Sequence, residues 1–159
     1  MTREYARGPR GERVQGYVPR NRGTVTTMIG AMGLDGVRAM MTVEGATDAE
    51  VFDTFVTHVL VPKLKPGDII VLDNVGAHKP ESALARIRAA GAHVLFLPPY
   101  SPDLNPIEYC WSKVKAFLKK FEALTVATLD AAIARATELI TPRDARGWFA
   151  HCGNSVQPE

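Results

Sequence analysis

The sequence predicts an α/β domain with mixed strand directions, and three observations carry that expectation. Asp35-Gly36 is a hairpin turn signal, and it separates the apolar segments "TVTTMIGAMG" and "VRAMMTV". Two short apolar runs, Ile69 to Leu72 and "HVLFLPP" from His93, read as buried strands, with a helical pattern between them. Strong helical periodicity then fills the C-terminal third. The order hairpin, helix, strand, helix, strand, helices suits a mixed sheet with helices packed on it.

Each element has a local reason. Thr47 and Glu50 have the T-x-x-E spacing of a capping box ahead of "EVFDTFVTHVL", where Val51, Phe52, Phe55, Val56, Val59 and Leu60 recur at helical spacing. Pro62 ends or kinks that helix, because it has no N–H to donate. Four apolar residues in a row, Ile69 to Leu72, suit a strand covered on both faces. "PESALARIRAAG" reads as a helix with Pro80 near its start and Gly91 past its end. "NPIEYCWSKVKAFLKKF" has Asn105 as cap and Pro106 at the first helical position. In "TVATLDAAIARATELI", Val126, Leu129, Ile133 and Ile140 share a face, and "TPRDARGWFAHCG" reads as a short last helix anchored by Trp148 and Phe149.

Composition narrows the function classes. The chain has 159 residues, 46% of them apolar, which suits one domain with a core. No apolar run approaches the roughly 18 residues of a membrane span, and the N-terminus lacks the apolar block of a secretory signal. Cys110 and Cys152 form no C-x-x-C, so a disulfide framework is not expected and a reducing cytoplasm is the default. Net charge is +2, but the first 22 residues carry Arg3, Arg7, Arg10, Arg13, Arg20 and Arg22 against Glu4 and Glu12. Such an arm suits phosphate contact; a solvated tail is the plain alternative.

Two acids stand out. Asp73 follows an apolar strand, where α/β sheets collect ligand-binding groups; Asp-Asn after a strand also initiates turns. Glu108 has near capping-box spacing from Asn105 and favours the helix dipole, so a structural role is open to it. The apolar stripe of that helix is Ile107, Cys110, Trp111, Val114, Phe117, Leu118 and Phe121. Glu108, Ser112, Lys115 and Lys119 form a separate polar stripe, suited to a phosphate backbone or to solvent. His58, His78, His93 and His151 have no zinc spacing. Asp35, Asp48, Asp53 and Asp68 fit turn or cap positions.

"VLDNVGAHK" followed by "LFLPPYSPDLNPIEYCWSKVK" resembles the catalytic core of the mariner-type insertion-sequence transposases, DDE superfamily endonucleases. Positions 74 to 107, 34 residues, separate Asp73 from Glu108, which matches the gap between that family's second and third catalytic acids. "YARGPRGERV" resembles the segment after the family's first catalytic strand, so the likeness covers nearly the whole chain. It implies a ribonuclease-H-like mixed sheet flanked by helices, and DNA cutting and joining. Asp73 and Glu108 match catalytic, metal-binding acids; Asn74, His78 and Asn105 match supporting positions. The implied cofactor is Mg²⁺ or Mn²⁺, because hard cations take oxygen ligands.

The family's first aspartate lies on its first, central strand, ahead of the "YARGPRG" match, and nothing in residues 1–22 reads as that strand. The expectation is therefore a domain lacking its central strand and one acid, with a two-metal site only when that aspartate is supplied, and inactive as the isolated chain. The expected organisation is a basic arm at 1–22, a partial DDE catalytic domain at 23–152 and a tail at 153–159. The expected partners are transposon-end and target DNA, contacted by Arg3, Arg7, Arg10, Arg13, Lys115 and Lys119. An upstream transposase segment and further copies of the chain on DNA are also expected, in a bacterial-type, nucleoid-associated cytoplasmic setting and with no membrane. The alternative is a catalytically incomplete remnant that only binds DNA non-specifically or dimerises. A general ribonuclease H fits the "SPDLNPIE" loop and the spacing less well.

Overall fold

The computed structural model describes residues 8–12, 25–78, 80–121 and 125–154. Strand β1 (Thr26–Gly33) and strand β2 (Gly36–Glu44) form the expected antiparallel hairpin. Gly36 closes the turn at φ 120°, where a side chain would be strained. The register shifts by one residue beside Ala31 and Met32, leaving Ala31 opposite Ala39 and Met32 opposite Val37. This bulge sends Val37 and Ala39 to opposite faces despite their spacing of two.

Helix α1 (Ala49–Phe55) starts one residue later than the T-x-x-E spacing predicts. Asp48 is its cap, accepting the Val51 N–H at 2.9 Å. Asp48 sits immediately before the first helical residue, where its carboxylate reaches the third N–H; Thr47 is one position too early. The periodic stretch does continue to Leu60, but Val56–Leu60 is a π-helical turn and Val61–Lys63 a 3₁₀ turn. Pro62 cannot donate to the carbonyl four residues back, and the helix changes pitch just before it. Asp53 also departs from the turn-or-cap assignment. It lies within α1 and accepts from Ser82 Oγ and Arg86 Nη1, both at 2.6 Å, tying α1 to helix α2 (Glu81–Ala89).

Strand β3 (Ile69–Leu72) pairs in parallel with strand β4 (His93–Phe96), and Leu97 N–H continues the ladder to Leu72 C=O at 2.8 Å. Helix α3 (Pro106–Phe121), helix α4 (Val126–Glu138) and helix α5 (Pro142–His151) follow. Capping boxes start α4, from Thr125 and Thr128, and α5, from Thr141 and Asp144.

The core has two parts, one on each face of the hairpin. Ile29 and Ala39 join Phe52, Phe55, Val56, Leu60, Ala83, Ile87 and Ala92 on one side, with Ile70, Leu72 and Val94 packed against them. On the other side Cys110, Val114, Leu118, Ala132, Ile133, Ala136 and Ile140 form the second part, with Met28, Met32 and Trp111 against it. Gly30 is a point of close approach: a Cβ there would lie 2.9 Å from the Trp111 ring. Trp111 is thus core, as its place on the apolar stripe predicts. One expectation fails. β3 and β4 are covered on one face only, with Ile69 64%, Val71 40% and Leu95 56% exposed. The physical reason lies in the packing: among the described residues the second part of the core rests on the hairpin, through Met28, Met32 and Val37, and takes in no residue of β3 or β4, which form a separate two-stranded sheet.

Candidate functional site

A cleft of about 260 Å³ runs between those two sheets. Met28 to Met32 of β1 and Ile69 to Leu72 of β3, continued by Asp73, line it as unbroken runs. Successive side chains of a strand point to opposite faces, so a wall of consecutive residues means the cleft lies along the strand edges. At one end a second hollow is lined by Ala31 to Gly33 and by Asp68 to Ile70. The end of β1 therefore lies beside the start of β3, and the two edges run in opposite senses. Phe52, Phe55 and Leu60 close the cleft from the first core, Ile107 and Trp111 from the second, and Phe149 of α5 also lines it.

Asp73 and Glu108 both line this cleft, together with His78 and Asn105. Asp73 follows β3 directly. Its Oδ1 accepts the Val75 N–H at 3.3 Å, so the turn expected of Asp-Asn is present as well. The same oxygen accepts from Nδ1 of His78, at the end of the 3₁₀ turn Gly76–His78. The His78 ring packs on Phe52, with centroids 4.6 Å apart. Asn74 lies in the bend after Asp73 and is not part of the cleft wall.

Glu108 is the third residue of α3 and is exposed. Asn105 is extended, at φ −106° and ψ 104°, and its C=O accepts the Glu108 N–H at 3.1 Å. Pro106 begins the helix where its missing N–H has no helical partner to lose. Among the described residues no side-chain hydrogen bond joins Asn105 and Glu108, so their spacing does not produce a capping box. Lys115 and Lys119 are exposed on the same helix, as the polar stripe predicts. Arg10 is exposed in a turn in which Glu12 N–H bonds Pro9 C=O at 3.2 Å; Arg3, Arg7 and Arg13 lie outside the described residues.

Sequence reasoning missed three residues. Thr47, read as a cap, instead lines the cleft, and its Oγ1 is buried without a hydrogen-bond partner among the described residues. Asn154, in the stretch read as tail, reaches the cleft because its N–H bonds Phe149 C=O at 3.0 Å at the end of α5. Tyr100 stands fully exposed at φ 57° in the loop leading to Glu108. No spacing signals the first two, since both depend on how distant elements pack. For Tyr100 the flanking prolines mark a loop but not its exposure.

Among the described residues no group of three or more His, Cys, Asp or Glu is placed to hold a metal ion. Asp73 and Glu108 are the oxygen donors a hard cation takes, and they share one cleft, so they fit part of a magnesium or manganese site. Also among the described residues, no helix is long and apolar enough to cross a membrane.

Two helical layers around short strands make this a mixed α/β fold, with Asp73 at a strand end and Glu108 at a helix start. The sequence pattern of the DDE superfamily endonucleases matches residues 1–130, and the chain belongs to that family. Its fold is similar to that of the mariner transposase Mos1. Against the Mos1 strand transfer complex the TM-score is 0.74 at 15% identity, over 96% of this chain and 47% of that one. Against the Mos1 paired-end complex with left transposon end it is 0.75 at 14%, over 96% and 47%. Against the paired-end complex with Mn it is 0.74 at 14%, over 96% and 48%. The chain therefore spans about half the length of the structures it matches. No curated protein matches it.

Proposed function

We propose that this chain is the C-terminal catalytic portion of a DDE transposase, supplying two of three acids for metal-dependent DNA strand cleavage and strand transfer. Asp73 and Glu108 are those acids. The observation that carries the reading is their meeting in one cleft, from a strand end and a helix start 35 positions apart in sequence (108 − 73). The cleft between the β1 and β3 edges is the place of the central strand of a ribonuclease-H-like sheet. That strand, with the third acid, comes from chain outside the described residues. Among the described residues no strand pairs with the facing edges of β1 and β3, which can supply its backbone partners, and the apolar lining of the cleft suits its side chains.

Asp73 and Glu108 would hold Mg²⁺ or Mn²⁺, which would supply the charge that activates an attacking oxygen and stabilises a leaving one at phosphorus. The chain's own part is to hold carboxylates in place and to bring DNA to them. Lys115 and Lys119 share a helix with Glu108, and with Arg3, Arg7, Arg10 and Arg13 of the arm they meet phosphates rather than bases. Transposon ends and target are the DNA partners, and copies of the chain assemble on them. The paired-end and strand-transfer complexes of Mos1 support this DNA reading. The sequence-based alternative, a remnant that binds DNA without cutting it, keeps the same basic surface.

Strand cleavage with Mg²⁺ or Mn²⁺ tests the proposal, using the chain alone and the chain joined in frame to an N-terminal apolar strand ending in aspartate. We expect little or no cleavage by the former and clear cleavage by the latter, abolished by Asp73→Asn or Glu108→Gln. Robust cleavage by the chain alone would show that no further acid is needed. Salt-sensitive DNA binding without cleavage in either form would favour the remnant.

A further inference from the structure

We propose that His78 is a positioning residue that fixes the Asp73 carboxylate by engaging one of its oxygens, leaving the other for a cation. The role assigned to that second oxygen rests on the metal reading of Asp73 above; the positioning itself rests on geometry alone.

An aspartate at a strand end has two freely turning side-chain torsions, and ordering a carboxylate carries an entropic cost. Among the described residues two donors meet Asp73, and both go to Oδ1: the Val75 N–H at 3.3 Å and His78 Nδ1. An ionised carboxylate only accepts, so the imidazole presents Nδ1–H to it. Oδ2 takes neither bond. A carboxylate tied through one oxygen offers the other in a fixed direction, as required of a metal ligand whose outer partners orient it.

The donor is itself held. The 3₁₀ turn Gly76–His78, closed by His78 N–H on Val75 C=O at 3.0 Å, folds the chain back so that a residue five positions on reaches Asp73. The imidazole then packs on Phe52 of α1, with ring centroids 4.6 Å apart and planes at 36°. Phe52 is 2% exposed in the first core, so it has little freedom of its own. The series Phe52, His78, Asp73 thereby transmits the rigidity of the core to a carboxylate that is otherwise 39% exposed. Glu108 lines the same cleft from a helix start, where backbone geometry places its Cβ. Asp73 sits on a loop and needs a side-chain partner for the same purpose.

Two substitutions separate the bond from the packing. His78→Phe keeps a ring against Phe52 and removes the donor. His78→Asn keeps an N–H near the Nδ1 position and removes the ring. The first readout is the pair of three-bond Hα–Hβ couplings of Asp73 in the full chain. Wild type and His78→Asn are expected to show one rotamer, and His78→Phe averaged couplings, with the urea midpoint of the Phe variant near wild type. A single Asp73 rotamer in His78→Phe would overturn the proposal. The second readout is Mn²⁺ binding by the chain joined in frame to the N-terminal apolar strand ending in aspartate, followed by water-proton relaxation with Asp73→Ala as the blank. His78→Phe should weaken the Asp73-dependent binding by about tenfold or more, and His78→Asn by much less. If wild type shows no Asp73-dependent binding, the metal reading fails, while the couplings still decide the positioning.

Discussion

The helical layer of α3, α4 and α5 and the parallel pair β3–β4 are both written in apolar residues at regular spacing, and they end differently. In the helices Cys110, Val114 and Ala132 are 0% exposed, whereas in the strands Ile69 and Leu95 remain 64% and 56% exposed. A helix satisfies its own backbone, so it needs a neighbour along one stripe only. A strand needs partners at both edges and cover on both faces. The layer that closes is the one whose requirements are local. The pair that stays open faces the cleft where Asp73 and Glu108 lie, so the least satisfied part of the core adjoins the candidate chemistry.

The largest difference should appear on truncating apolar side chains. Ile133→Ala in the helical layer should cost about 2–5 kcal/mol, since the residue is buried and its cavity cannot fill completely. Ile69→Ala should stay within about 0.5 kcal/mol, because its side chain is already in water. Urea unfolding at unchanged slope measures both; equal losses would mean that β3 is covered in solution.

Gly30→Ala probes the seam between hairpin and helical layer. The added methyl meets the Trp111 ring at 2.9 Å, and overpacking of this kind costs about 1–3 kcal/mol. Thermal melting, with tryptophan fluorescence reporting the ring, should show both the loss and the displacement.

Asp144 ties α5 to α3. It caps Thr141, and Lys113 Nζ donates to it at 2.6 Å. That hydrogen bond, with those from Thr141, holds its carboxyl at about 2, below the usual 3.8. A carboxyl depressed on folding stabilises the protein above its unfolded value, and the benefit disappears as pH falls through the folded value. Stability should therefore drop between about pH 4 and 2, and in Asp144→Asn that part of the pH profile should flatten. Near neutral pH, Asp144→Ala should cost about 1 kcal/mol as a lost cap.

The smallest contrast distinguishes Asp48 from Thr47. Asp48→Ala should lose about 1 kcal/mol, because the Val51 N–H loses its acceptor. Thr47→Val should cost less or stabilise, because its buried Oγ1 has no partner to lose among the described residues. The reverse order in chemical denaturation would restore the capping box expected at Thr47.

The sequence by itself determined what depends on neighbours a few positions away. The hairpin at Asp35-Gly36, α3 beginning at Pro106, and the buried stripe through Cys110, Val114 and Leu118 follow from turn chemistry, helix-start chemistry and a period of about 3.6 residues. So does the exposure of Glu108, Lys115 and Lys119. It also set Asp73 at a strand end and Glu108 in a first helical turn. Tertiary structure alone decided that these two acids share a cleft, because their approach depends on how distant elements are arranged around it. It decided that Thr47 and Asn154 line that cleft, and that His78 reaches Asp73 while resting on Phe52. It also left one face of β3 and β4 open. Four apolar residues in a row look the same whether one face is covered or both, since the layers that cover a sheet come from distant segments that no local pattern records.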